Sequence, residues 1–312
     1  MKTIFYHVII LTSGLALVGC ESSTENKIVT APPAATTPRN TSSATFPKEE
    51  AEKLIQQLAT QDGCKDSTAE MRLSFTDAEG KPQQMDFRLQ RKYEAGKISS
   101  LMTVLSPKEE TEKALLAFEE EGKPTDAISY LSGLKKTAHL KSDNPLNFRG
   151  SKSTVQEMLG LELGKYEIVS TVEEYNPASR SITLSAKKEM NLMFPKIVVR
   201  FKGGAIADFQ DETHAMGTLP SVRVYSPESF ELYDTKDQVV KRMRLVELEN
   251  VSISEKKQYE TIKKIEIEDV AHKQKLKLET RSIKYDTNLP ASIFTEAQLI
   301  KTVTAATAKL VQ

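Results

Sequence analysis

After Cys64 the chain alternates apolar and polar residues with a period of two, and it keeps that period for most of its length. Successive side chains of a β-strand point to opposite faces, so this pattern marks strands with one covered face and one wet face. Met71, Leu73 and Phe75 alternate with Arg72 and Ser74, and Met85, Phe87 and Leu89 alternate with Asp86, Arg88 and Gln90. Asp77-Ala-Glu-Gly80 between them has the composition of a turn, so the pair predicts a hairpin. The same reasoning predicts strands at 98–105, 114–118, 128–134, 168–175, 182–186, 222–225, 230–233, 239–245, 265–267 and 276–278. Ile197-Val198-Val199 is apolar on both faces, as in a central strand. Roughly a dozen antiparallel strands with little helix between them form a sheet that must curl, because strands twist. Short helices are expected at 49–59, at 154–159 with Ser153 as a cap, and at 295–303 with Thr295 as a cap.

The start of the chain follows a different logic. Lys2 supplies a positive charge, and residues 4–17 form an almost unbroken apolar run that is too short for a comfortable membrane span. The run ends in Leu17-Val18-Gly19-Cys20, where small residues precede a thiol. Residues 1–19 are therefore expected to be a secretory signal, and Cys20 the residue that carries lipid. Several acyl chains on one residue make a durable membrane anchor. Glu21 is not the aspartate that retains enterobacterial lipoproteins at the inner membrane. The expected location is the bacterial cell envelope, lipid-anchored, at the outer membrane and facing the periplasm. Residues 20–47 are rich in Ser, Thr, Pro and Ala and read as a disordered tether; residues 48–312 read as the folded domain.

Lys+Arg and Asp+Glu each number 43, so the formal charge is zero and no nucleic-acid partner is implied. Cys64 is the one thiol left beside the lipidated Cys20, which excludes a disulfide framework. It reads as a small loop residue, with an intermolecular disulfide as the alternative. No metalloprotease, hydrolase-elbow, Walker or dinucleotide motif is present, and neither enzyme activity nor a cofactor is expected. Asp211, Glu212 and His214 stand close together but read as a solvated loop rather than a metal site, and Gly203-Gly204 reads as a turn. The acidic run 119–121 and the lysine pairs 256–257 and 263–264 read as exposed edges or turns. Methionines 71, 85, 102, 190, 193 and 243 fall among the strands, where flexible thioethers suit either an ordinary core or an adaptable apolar ligand surface.

The order of segments resembles the LolA/LolB-like superfamily of outer-membrane lipoprotein-sorting proteins, and more closely its larger LolA-like branch. The likeness spans roughly residues 65–302 and is carried by the first hairpin from Met71 to Gly80, by Leu105-Ser-Pro107 with the strand 114–118, and by 127–136. Residues 148–159, the stretch from Phe230-Glu-Leu-Tyr-Asp234 to Lys241, and the close from Tyr285 to Leu299 continue it. Ser132 stands where the pattern has proline, Asp237 where it has glycine, and 203–218 looks like an insertion. The resemblance implies a mainly β (α+β) fold, a strongly curved antiparallel sheet forming a half-open barrel with a few short covering helices. It also implies an apolar hollow for the acyl chains of a lipid or lipoprotein. Met71, Leu73, Phe75, Met85, Phe87, Leu89 and Met102 would line that hollow, although alternation does not say which face is the inner one. The competing expectation is a structural or protein-interaction lipoprotein of the same fold with a filled core.

Overall fold

A computed structural model describes residues 7–8, 43–58, 64–77, 79–94, 96–120, 123–131, 135–141, 144, 154–175, 178–190, 192–207, 222–254 and 257–308. Cys20, nearly all of the predicted signal, most of the predicted tether, Ser132, Ser153, Asp211, Glu212 and His214 lie outside the described residues.

In chain order the first elements are β1 (His7–Val8), β2 (Ser43–Ala44) and helix α1 (Lys48–Gln57). A meander of hairpins follows: β3 (Asp66–Thr76), β4 (Pro82–Glu94), β5 (Lys97–Ser106), β6 (Ala114–Glu120), β7 (Asp126–Leu131) and β8 (Lys136–Leu140). Helix α2 (Val155–Leu159) and β9 (Leu161–Glu162) lead to a second meander. It comprises β10 (Tyr166–Tyr175), β11 (Ala178–Ala186), β12 (Lys196–Ala207), β13 (Val222–Tyr233), β14 (Val239–Ser254), β15 (Lys257–Asp269) and β16 (Gln274–Tyr285). Helix α3 (Glu296–Ala308) comes last, with Thr295 as its cap: the Thr295 hydroxyl accepts the Gln298 amide at 3.2 Å.

The two meanders join where β16 pairs antiparallel with β3, placing Leu276 opposite Phe75 and Tyr285 opposite Ser67. The result is one antiparallel sheet of 14 strands in the order β2-β10-β11-β12-β13-β14-β15-β16-β3-β4-β5-β6-β7-β8. β1 pairs separately with β9. The sheet stays open, with β2 and β8 at its ends, yet it curls far enough to bring those ends together. Thr125, just before β7, donates to Glu162 Oε1 at 2.7 Å and accepts from Lys165 Nζ at 3.1 Å, just before β10. Those strands stand near opposite ends of the strand order, so only strong curvature lets these residues touch.

Alternation decides which side is covered. Ala69, Met71, Leu73 and Phe75 of β3 share a continuous core with the corresponding residues of β4–β7 and β10–β16. Ala51, Leu54, Ile55 and Leu58 of α1 and Val155, Met158 and Leu159 of α2 belong to the same core, so two helices cover the concave face. The outer face is wet except over β5–β7, where Phe294, Leu299 and Val303 pack on Leu101, Leu116, Ile128 and Tyr130. Elsewhere it carries cross-strand ion pairs such as Arg72–Asp86 at 2.6 Å and Arg242–Glu268 at 3.0 Å.

Two turns show the local chemistry. Asp77 Oδ1 accepts the amides of Glu79 and Lys81 at 3.0 and 2.9 Å, and Gly80 takes a φ of 81°, a conformation glycine adopts without strain. Asp234 does the same for Lys236 and Gln238, and Asp237 takes the left-handed position at φ 61°. Aspartate tolerates that region, so the turn survives without the glycine of the family pattern.

Several expectations are corrected. Ser43–Ala44 pairs with β10 and Phe46 is buried in the core, so the folded chain reaches into the stretch 20–47 read as tether. Gly203 and Gly204 lie within β12 beside a shift of register, not in a turn. Residues 222–225 and 230–233 form one strand, because a second register shift lets Pro227 sit in it without breaking the pairing. Glu119 is buried, whereas Lys263 and Lys264 sit half-buried on β15 between two neighbouring strands, not at an edge. Cys64 is buried against Tyr259 and Tyr285, out of reach of an intermolecular disulfide.

A buried ion pair links β14 to β15. Lys241 Nζ lies 3.2 Å from Asp269 Oδ2, both almost wholly buried, and His272 Nδ1 lies 2.9 Å from the same carboxylate. Burial works to raise the Asp269 pKa, but Lys241 and His272 outweigh it and hold the group below the ordinary carboxylate range. A carboxyl depressed on folding stabilises the fold above its unfolded pKa, and that contribution disappears as pH falls through the folded value. The protein should therefore be more stable than its Asp269→Asn variant at pH 7, with the gap closing below about pH 4. Urea midpoints of both chains from pH 7 to 3 test this; a gap that stays constant refutes it.

Candidate functional site

Among the described residues, the concave face is the surface that gathers apolar side chains from nearly every strand. Met71, Leu73, Phe75, Met85, Phe87, Leu89 and Met102 all point to it, and all belong to the same core cluster. Register explains why: Met71 stands opposite Phe87, Leu73 opposite Met85, and Leu89 opposite Met102, so one phase of alternation in β3 carries through β4 and β5. The seven are 0–3% exposed, so the chain's own side chains, including those of α1 and α2, occupy the space above them.

Two arginines anchor the covering helices, and hydrophobic alternation signalled neither. Arg180 of β11 bonds Glu173 at 3.0 Å and Glu50 of α1 at 2.8 Å. Its guanidinium also lies over the rings of Phe46, at 4.5 Å, and Tyr225, at 4.3 Å. Burial opposes the Arg180 charge, but the bonds to Glu173 and Glu50 prevail and raise its pKa. Phe46 exchanges two hydrogen bonds with Thr171, so the chain entering α1 is fastened to β10.

Arg91 of β4 is 1% exposed, and its Nη2 donates to the carbonyl of Leu159 at the end of α2. Ser67 and Ser100 stand opposite it on β3 and β5, both buried. Tyr93 lies close by, and burial pushes its hydroxyl pKa well above the ordinary value, so it stays neutral. Glu119, Glu162 and Lys165 are buried too, with Lys165 Nζ 2.8 Å from Glu162. The inner surface is thus apolar through its middle and polar at the end marked by Arg91, Ser100 and the Thr125 contact.

Other features carry less. A trough of about 820 Å³ on the outer face is rimmed by Arg242, Arg244, Lys275 and Lys277 and by Glu231, Glu266 and Glu268, and both arginines are paired with these carboxylates. A second cavity of about 450 Å³ lies beside α3, against Thr103, Leu105 and Val303. Among the described residues no three metal-ligating side chains come together. His139 is exposed beside Asp126, and His272 is occupied by Asp269.

A family model described as an uncharacterized-protein-like family matches residues 223–301, which run from β13 into α3. No curated protein matches the chain. Among solved structures, a putative outer membrane lipoprotein-sorting protein domain from Vibrio parahaemolyticus matches with a TM-score of 0.61 at 19% identity, over 81% of this chain and 97% of that one. A DUF1329 family protein from Desulfovibrio piger matches with a TM-score of 0.63 at 16% identity, over 81% and 98%. A LolA superfamily protein from Nitrosomonas europaea matches with a TM-score of 0.56 at 12% identity, over 79% and 98%. At such identities the likeness is one of architecture, and it covers nearly the whole of each relative: this chain has the LolA-like fold, an unclosed antiparallel sheet curled around helices.

Proposed function

We propose that the protein is a cell-envelope lipoprotein, anchored through Cys20, that takes acyl chains of a lipid or lipoprotein against its concave face and serves in their sorting or transport. The observation that carries this reading is the continuous apolar concave face, covered by two short helices rather than by a second sheet. Helices held by a few side-chain bonds can lift, whereas a strand paired on both sides cannot without loss of its ladder. The names of two relatives, a lipoprotein-sorting domain and a LolA superfamily protein, support the same reading. Acyl binding needs no covalent step; removing apolar area from water is worth roughly 25 cal/mol per Å². The membrane partner is reached through the lipid on Cys20, and the ligand enters when α1 and α2 swing away.

The near-complete burial of the seven inner residues favours a second reading, in which the core is filled and the protein acts through its surface. Native mass spectrometry separates the two. Every described strand of the large sheet and the three described α-helices lie within residues 43–308, so a chain begun at residue 43 keeps the whole described sheet and its covering helices. Purified from a bacterial periplasm, it should carry phospholipid or acylated peptide at fixed stoichiometry. A clean protein that also refuses a fluorescent fatty acid would sink the acyl-binding reading and leave the filled core.

A further inference from the structure

We infer that Arg91 and Ser100 form a recognition site for the anionic oxygen group, carboxylate or phosphate, at the head of an acyl ligand. This inference rests on the acyl-binding reading and adds an orientation to it.

The two residues are partners across β4 and β5 and project to the concave face, in line with Leu89 and Met102. Arg91 is 1% exposed and Ser100 fully buried. Arg91 Nη2 donates to Leu159, but Nε and Nη1 have no hydrogen-bond acceptor, nor has the Ser100 hydroxyl a partner, among the described residues. Tyr93 stands beside Arg91 without reaching good hydrogen-bond geometry. No described carboxylate forms an ion pair with Arg91.

A guanidinium does not lose its proton in a protein, so burial cannot be relieved by neutralisation. Leaving such a charge dry and half-bonded is strongly unfavourable unless something supplies oxygen atoms. Arg180 makes the contrast: that guanidinium is only half-buried, yet two carboxylates and two rings surround it. Arg91 is provided with one carbonyl, from the helix that must move for a ligand to enter. A carboxylate or phosphate placed there meets the free N–H groups and the Ser100 hydroxyl, while its chain runs along Leu89, Met102 and Phe87. An amphiphile would lie with its head at the Arg91 end and its tail along the apolar middle.

The test compares ligands that share a tail and differ in the head: palmitate, hexadecyl phosphate and hexadecanol. Equilibrium dialysis against the chain from residue 43 gives affinities for the wild type, Arg91→Gln, Arg91→Lys and Ser100→Ala. The wild type should favour at least one of the two anions over hexadecanol by tenfold or more, about 1.4 kcal/mol. Arg91→Gln should abolish that preference while still binding hexadecanol, and Arg91→Lys should restore part of it. The preference ratio is the readout because loss of the Arg91–Leu159 bond affects all three ligands alike. Whichever anion is favoured identifies the source, free acid or phospholipid. A wild type without preference, or an Arg91→Gln chain that keeps it, overturns the inference and leaves acyl binding standing. Failure of the wild type to bind any of the three sinks the acyl-binding reading itself. Should Arg91→Gln not fold, Ser100→Ala decides: a threefold or larger drop for the favoured anion alone supports the site, and an unchanged ratio refutes it.

Discussion

Phe87→Ala should cost about 3–5 kcal/mol, a large share of the stability of a domain this size. Phe87 is fully buried in β4, with Met71 opposite on one side and Val104 on the other. β4 is flanked by strands on both sides, so the ring cannot be replaced by a shift of an edge. Truncation loses the transfer energy of the ring and leaves a void that the curled sheet cannot collapse into. Urea unfolding should show a lower midpoint with an unchanged slope, since the surface exposed on unfolding hardly alters. Leu105→Ala is the control: Leu105 is 37% exposed, and its loss should stay within about 0.5 kcal/mol. Equal effects at the two positions would mean that the concave side is not the packed one.

Asp66→Ala should be comparably severe, at about 3–5 kcal/mol, for a different reason. Asp66 is fully buried at the start of β3. Its carboxylate accepts the Thr287 amide and hydroxyl, both at 2.7 Å, and the Leu289 amide at 3.1 Å. Its own carbonyl accepts the Asp286 amide at 2.9 Å. This one side chain thus fastens the start of β3 to the segment that carries the chain from β16 towards α3. Alanine removes three bonds to a fully buried carboxylate at once, each worth about 1.5–3 kcal/mol for a charged acceptor, less what water restores at exposed Thr287 and half-buried Leu289. Hydrogen exchange should locate the damage: amides at 286–289 and in α3 lose protection before those of β11 and β12. Uniform loss across the sheet would show that Asp66 acts on the whole fold and not on this junction.

Much of the architecture was legible because alternation is a local signal. Met71 to Leu89 could be read residue by residue, and the covering helices announced themselves through the grouping of Leu54, Ile55 and Leu58 and through Thr295. The long arms of β14 and β15 were missed: residues 246–254 interleave Leu248, Val251 and Ile253 with charges and bulges that break the period. β8 was missed because Lys-Thr-Ala-His-Leu carries little apolar weight and draws its order from β7. The seven inner residues were legible as a set, but their direction needed the cross-strand register. The polar end was not legible at all. Arg91, Ser100, Glu119 and Lys165 look in sequence like surface residues, and only the curl of the sheet takes them out of water.

That same curl sets an order of events in time. Each meander is built from neighbours in sequence, but the seam between them, β3 against β16, joins the first strand of the first meander to the last strand of the second. A chain emerging N-terminus first therefore holds the edge of β3 unsatisfied until Gln274 to Tyr285 arrives. Contacts of such long range are slow to form, and exposed strand edges recruit other chains meanwhile. The chain's most vulnerable moment thus falls before Gln274 to Tyr285 is in place, when a holding chaperone at the β3 edge would matter more than anything done for the finished fold.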